Sequence, residues 1–189
     1  MMTARLTWAT ALTACVLAAS AGCSGHSAGF TDAGKYTRTP DSCALLPSAL
    51  VERLTGAAVA GQRVDGKAMV TVQECSWSNV ADASHPDATF GQVAVFVDRG
   101  RADSLGNGVQ SIEKSYRKEL SEAGCTPLKG LAVDKSCVFP DSSGISLVAF
   151  RKSNLFVRVT CSVRNPDPCS GDQRNATAQL LAKTVLQKL

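Results

Sequence analysis

Aromatic residues are scarce in this chain, at 5% of 189 positions, and only two histidines occur. A core has to be built mainly from Val, Leu, Ala and Ile. No C-x-x-C pair and no Cys/His spacing of the zinc-binding kind is present. The P-loop and G-x-G-x-x-G are missing too. The expectation is therefore no cofactor and no metal. Charge of one sign is lacking as well: 20 Lys and Arg stand against 16 Asp and Glu, a formal +4, with the basic residues scattered. That is too mild a balance for a nucleic-acid partner. Beyond the N-terminus no apolar run approaches the 18 residues that a membrane-spanning helix needs. With 44% hydrophobic and 19% charged residues, the composition suits one packed domain with appendages.

What the chain does have is eight cysteines and an N-terminus that reads as an address. Residues 1–5 carry one positive charge, Arg5, and residues 6–19 form an uncharged, mostly apolar run of 14. Such a run fits the hydrophobic region of a signal peptide and is too short to span a bilayer. Three processing outcomes compete. Ser20-Ala21-Gly22-Cys23 reads as a lipobox, with small residues that let a peptidase grip an extended chain before an acylated cysteine. Ala19-Ser20-Ala21 is an A-x-A cleavage site. Leu12-Thr13-Ala14-Cys15 is a second lipobox, but it leaves a hydrophobic region of only about eight residues. Lipidation of Cys23 leaves six cysteines, Cys43, Cys75, Cys125, Cys137, Cys161 and Cys169. The other outcomes leave an odd thiol in an oxidising compartment. Residues 1–22 are thus expected to be a lipoprotein signal peptide, and Cys23 the lipidation site. The expected location is the extracytoplasmic face of the cell membrane, with two or three acyl chains making the anchor permanent. Cleavage removes Arg5 alone and leaves a net charge of +3.

Residues 24–40 are rich in Ser, Gly, Thr and Ala and read as a flexible tether, with a mean span of roughly 20–25 Å. The single folded domain is expected over residues 41–189. Residues 42–46 suit one helical turn. Pro47 suits the first position of a second helix that stops at Gly56. Residues 70–79, 90–98, 136–139, 145–151 and 155–163 read as strands, the last two joined at Ser153-Asn154. Leu105, Val109, Ile112, Tyr116, Leu120 and Ala123 recur at helical spacing, with Glu113 and Arg117 paired on the wet side and Gly124 as the stop. A last helix over residues 172–189 turns Ala178, Leu181, Ala182, Val185 and Leu189 inward. The order predicts an α+β fold: an antiparallel sheet with one face covered by helices.

Asp41-Ser42-Cys43-Ala44-Leu45-Leu46, followed after a loop by Cys75-Ser76-Trp77-Ser78, resembles the small actinobacterial lipoproteins grouped as a domain of unknown function. Gly130-Leu131 is similar to that family's Gly-Leu-Gly-Asp segment, with Ala132-Val133 in place of Gly-Asp. The resemblance covers residues 41–189. It implies a Cys43–Cys75 bridge and an α/β/α sandwich of Mog1p/PsbP-like architecture. It implies no established activity, so no catalytic residue is carried over.

Six cysteines allow 15 pairings. Proximity favours Cys161–Cys169, since Asn165-Pro166-Asp167-Pro168 can turn the chain, and this leaves Cys125 with Cys137; spacing alone leaves these four open. His26 falls in the tether, and His85 in Ser84-His85-Pro86-Asp87 is a loop residue, because sequence neighbours cannot line up as nucleophile, base and orienter. Trp77 is expected to pack against the bridge beside it. Asp98 and Asp103 flanking Arg99 and Arg101 read as a solvated corner. No catalytic constellation emerges. The function expected is a non-enzymatic binding or interaction domain at the cell envelope, holding a small apolar ligand or an envelope protein. An envelope hydrolase, or a sensory or accessory subunit of a transporter or kinase, are the alternatives.

Overall fold

The computed structural model describes residues 34–65, 71–79, 91–102, 106–140, 146–163 and 168–189. Cys15, Cys23, His26, His85, Asp103, Leu105 and the Asn165-Pro166-Asp167 turn lie outside the described residues, as do the side chains of Leu120 and Ala123.

The chain opens with a 3-10 turn, Ser42–Ala44, and helix α1, Ser48–Thr55. Strands β1 (Gln62–Asp65), β2 (Val72–Asn79) and β3 (Gly91–Arg99) follow, then helix α2 (Gly108–Ala123). Strands β4 (Lys135–Val138), β5 (Ser146–Lys152) and β6 (Leu155–Val163) complete the sheet, and helix α3, Arg174–Leu186, ends the fold. The six strands run in the order β1-β2-β3-β6-β5-β4, and every neighbouring pair is antiparallel. Two three-stranded meanders thus join through β3 and β6, whose register runs from Gly91 opposite Val163 to Arg99 opposite Leu155.

Val93, Val95 and Val97 of β3 and Val157, Val159 and Cys161 of β6 share one face, as their alternation dictates. Against it pack Leu50, Val51 and Leu54 of α1 and Ala178, Leu181, Ala182 and Val185 of α3. Full burial of each larger aliphatic side chain contributes about 1.5–3 kcal/mol. A bulge in β5, where Ser146 pairs with Thr160 but Val148 with Val159, turns Leu147 and Val148 both into this core. Element order alone predicted helices on one face, and the resemblance implied both. α2 does cover the other: Ile112 and Tyr116 meet Cys137, Ala149 and Phe156, with Phe96 beside them. The aromatic contacts are edge-to-face, with ring centroids 6.0 Å apart for Tyr116–Phe156 and 6.3 Å for Phe96–Phe156. The layers are therefore helix, sheet, helix. The sheet is also one strand wider than the sequence suggested, because β1 pairs with β2 through Gln62–Asp65.

Local chemistry sets the helix ends. α2 starts at Gly108, three residues after its first periodic Leu, because Asn107 caps it: Asn107 Oδ1 accepts from Gln110 N at 2.9 Å and Gln110 Oε1 accepts from Asn107 N at 3.2 Å. The helix then crosses so close to β3 that a Cβ on Gly100 would stand 1.9 Å from the Gly108 carbonyl oxygen. α1 stops at Gly56, whose φ of 77° is the left-handed conformation glycine adopts at no steric cost.

Three disulfides staple the helical segments to the sheet: Cys43–Cys75, Cys125–Cys137 and Cys161–Cys169, with Cα–Cα distances of 5.0, 5.5 and 5.9 Å. The first ties the turn before α1 to β2, the second the exit of α2 to β4, and the third the end of β6 to the approach to α3. Trp77 is buried in the same cluster as Cys75, and the backbone of Gly61 lies against both.

The body begins before Asp41. Tyr36 N donates to Asn154 Oδ1 at 3.0 Å, and Asn154 Nδ2 donates to the carbonyls of Tyr36 at 2.9 Å and Gly100 at 3.2 Å. Lys35 N donates to Ser153 Oγ at 2.9 Å. The expected tether is thus fixed to the fold from residue 34 onward. Asn154, expected as an ordinary turn residue, is fully buried and clamps it.

Candidate functional site

The face that α2 covers is only partly filled by it, and polar chemistry gathers at its border. Glu113 and Arg117 lie one turn apart on α2, so their side chains share a face. Lys135 and Arg151 are register partners at the paired ends of β4 and β5. The packing of α2 on β5 and β6 brings all four together. Arg117 Nε stands 2.7 Å and Lys135 Nζ 3.0 Å from Glu113 Oε1, and Arg151 Nε 3.1 Å from Glu113 Oε2. Arg151 also reaches Asp134 at 3.6 Å, and Asp134 Oδ2 accepts from Ser153 N at 2.7 Å, which anchors the β5–β6 turn.

A groove of about 610 Å³ opens here, lined by Val109, Gln110, Glu113, Lys114, Arg117, Lys135 and Arg151. Its floor is Arg151, whose side chain is only 14% accessible. Three cations meet one carboxylate, and Lys114 adds a fourth to the lining. The Arg117 hydrogen bond is the largest influence holding Glu113 below the usual carboxylate range, opposed by its own desolvation and reinforced by Lys135 and Arg151. Glu113 is therefore an ionised organiser that positions three cations; it is not poised to accept a proton. Beneath it, burial pushes the Tyr116 phenol up to about 12, with the Glu113 charge adding to the effect and Arg151 opposing it.

Lys135 and Tyr116 lead into a second cleft of about 360 Å³. This one is largely apolar: Tyr116, Pro127, Leu128, Leu131 and Val133 line it, with Asp134, Lys135 and Ser136 at its polar side. Ser136 Oγ holds the loop in place by donating to Leu128 O at 3.0 Å and accepting from Leu128 N at 3.2 Å. The two clefts share Lys135 in their walls, so this furrow pairs a cationic cleft with an apolar one.

Helical spacing isolates Glu113 and Arg117, but only as a solvated pair; Lys114, Lys135 and Arg151 went unmarked. No spacing rule links α2 to β4 and β5. The available signals were two charged residues, Lys135 and Arg151, within short apolar strands. Asp98, placed in a solvated corner by sequence, is in fact half-buried, and desolvation raises its pKa against the lowering influence of Arg99. Among the described residues no three of His, Cys, Asp and Glu converge on a possible metal position, and no helix is long and apolar enough to cross a membrane. No family model, curated protein or solved structure matches this chain.

Proposed function

We propose that this chain is an exported lipoprotein, acylated at Cys23, whose domain binds an anionic amphiphile at the extracytoplasmic face of the membrane without transforming it. Its likeness to the small actinobacterial lipoproteins in residues 41–46 and 75–78 supports the address. The observation that carries the ligand assignment is the furrow. Arg117, Lys135 and Arg151 around Glu113, with Lys114 beside them, outnumber Glu113 and Asp134 and leave hydrogen-bond donors for a carboxylate, sulfonate or phosphate. The adjoining Leu128, Leu131 and Val133 wall suits a hydrocarbon chain. The ligand thus differs from the small apolar one expected from the sequence.

Anilinonaphthalene sulfonate, which joins an anionic head to apolar rings, is the direct probe. Its fluorescence should rise on saturable binding to the native protein. Dodecanoate should displace it and dodecanol should not. Lys135→Ala, which removes one charge-assisted contact of about 1.5–3 kcal/mol, should weaken binding by roughly tenfold or more. Unchanged affinity in a folded Lys135→Ala protein, or equal displacement by dodecanol, refutes the assignment.

A further inference from the structure

Two independent features meet at one end of the sheet. The first is where the chain enters the fold. Residues 34–39 run across the strand ends, from Ser153 and Asn154 of the β5–β6 turn to Thr71 before β2, whose carbonyl accepts from Thr39 Oγ1 at 3.0 Å. Ten residues separate Cys23 from Gly34. Fully extended, they reach at most about 40 Å. The second feature is charge. At this end β3 finishes in Arg99, β5 in Lys152, and β4 begins at Lys135, against one acidic strand end, Asp65 of the edge strand β1. At the opposite end the corresponding residues Gly91, Ser146 and Val138 carry no charge.

Lys35, Arg38 and Arg101 are exposed around the same strand ends, and Lys152 is half-exposed. The described carboxylates at this end are few. Asp134 is engaged by Arg151 and by the Ser153 amide, Glu113 by Lys135 and Arg151, Asp98 is half-buried, and Asp65 ends β1 at the edge of the sheet, two strands from Arg99. The entering strand and the cations therefore share a surface.

We propose that this end of the sheet lies against the anionic phospholipid headgroups of the membrane that holds Cys23. The inference rests on the lipid anchor proposed above. A short tether keeps the domain at high local concentration near the surface, so a weak attraction suffices to orient it. Each exposed cation within a Debye length of an anionic leaflet contributes about a fivefold preference. Lys35, Arg38, Arg101 and Lys152 act together because one plane of strand ends presents them. The same orientation brings the furrow, whose Lys135 and Arg151 pair at this end, beside the bilayer from which an amphiphile would come.

The test uses the full-length lipidated protein on vesicles of phosphatidylcholine alone or with a third phosphatidylglycerol. Lysine acetylation by a water-soluble reagent is followed by peptide mass spectrometry, and vesicle binding by sedimentation. Lys35 and Lys152 should react about fivefold more slowly on the anionic vesicles than on the neutral ones, and high salt should abolish the difference. Arg38→Ala with Arg101→Ala should reduce the protection while co-sedimentation stays complete. Equal reactivity on both vesicles, with the protein fully sedimented, overturns the orientation and leaves the anchor standing. Failure to sediment with either vesicle overturns the anchor, and the orientation with it.

Discussion

Asn154→Ala isolates one side chain that joins three parts of the fold. Its buried amide accepts from Tyr36 N and donates to the carbonyls of Tyr36 and Gly100, so truncation removes three hydrogen bonds at once. A backbone group left unpaired under cover costs about 1–3 kcal/mol. Tyr36 is half-buried, so water re-pairs part of what is lost, and the expected destabilisation is about 2–4 kcal/mol. For a domain of this size that corresponds to a melting point lower by roughly 4–16 °C. The loss should also be local. Gly34 sits at φ 89° with an added Cβ only 2.5 Å from Asn154, so the entering segment and this side chain are fitted to each other. Urea titration measures the first effect and limited trypsin digestion the second. Cleavage after Lys35 and Arg38 should accelerate at least tenfold in the variant, while cleavage within α2 changes only as much as global stability requires. Asn154→Asp keeps the acceptor for Tyr36 N but loses both donated bonds, so it should fall between the two proteins or, with its buried charge, below Asn154→Ala. A destabilisation under about 0.5 kcal/mol, with Lys35 and Arg38 still protected, refutes the clamp.

Other consequences concern the staples and the furrow. Replacing Cys43 and Cys75 together by Ala should cost about 3.7 kcal/mol in the chain-entropy estimate, against about 2.6 for the Cys161 and Cys169 pair, so chemical denaturation should rank the first variant lower. Glu113→Gln should destabilise at pH 7. A carboxylate with a depressed folded pKa contributes stability that is fully present above its unfolded value, near 4.3, and is lost as pH falls through the folded value. The gap in urea midpoint between the native protein and the Glu113→Gln variant should therefore close below about pH 4; a gap constant down to about pH 2.5 contradicts the ion-pair role. Gly100→Ala should disrupt the α2–β3 crossing, since its Cβ meets the Gly108 carbonyl, and loss of near-ultraviolet dichroism with retained far-ultraviolet signal would register it.

Period-two alternation marked β2 through Cys75 and Trp77, β3 through Val93, Val95 and Val97, and β6 through Val157, Val159 and Cys161, and the Ile112–Tyr116 stripe marked α2, because burial on one face imposes those periods. β1 left no such mark. Gln62-Arg63-Val64-Asp65 has one apolar residue, and Val64 is itself exposed, as an edge strand with its outer rim in water permits. The second helical layer was legible in principle. Phe96 and Phe156 interrupt the polar faces of β3 and β6, and large aromatics there call for a cover. The clamp was hidden because Asn154 reads as turn chemistry in sequence, and only the tertiary position of Tyr36, 118 residues away, gives its amide a buried task. The furrow was hidden for the same reason: Glu113 meets Lys135 and Arg151 only once α2 packs on β5 and β6.

Native mass spectrometry of the protein gently extracted from its own envelope tests the ligand claim most directly. A reproducible bound species is predicted, anionic and carrying a hydrocarbon chain, at one per protein. It should be lost from a folded protein bearing Lys135→Glu and Arg117→Glu. A wild-type protein that arrives at its bare acylated mass, or a ligand retained unchanged by the double variant, would contradict it.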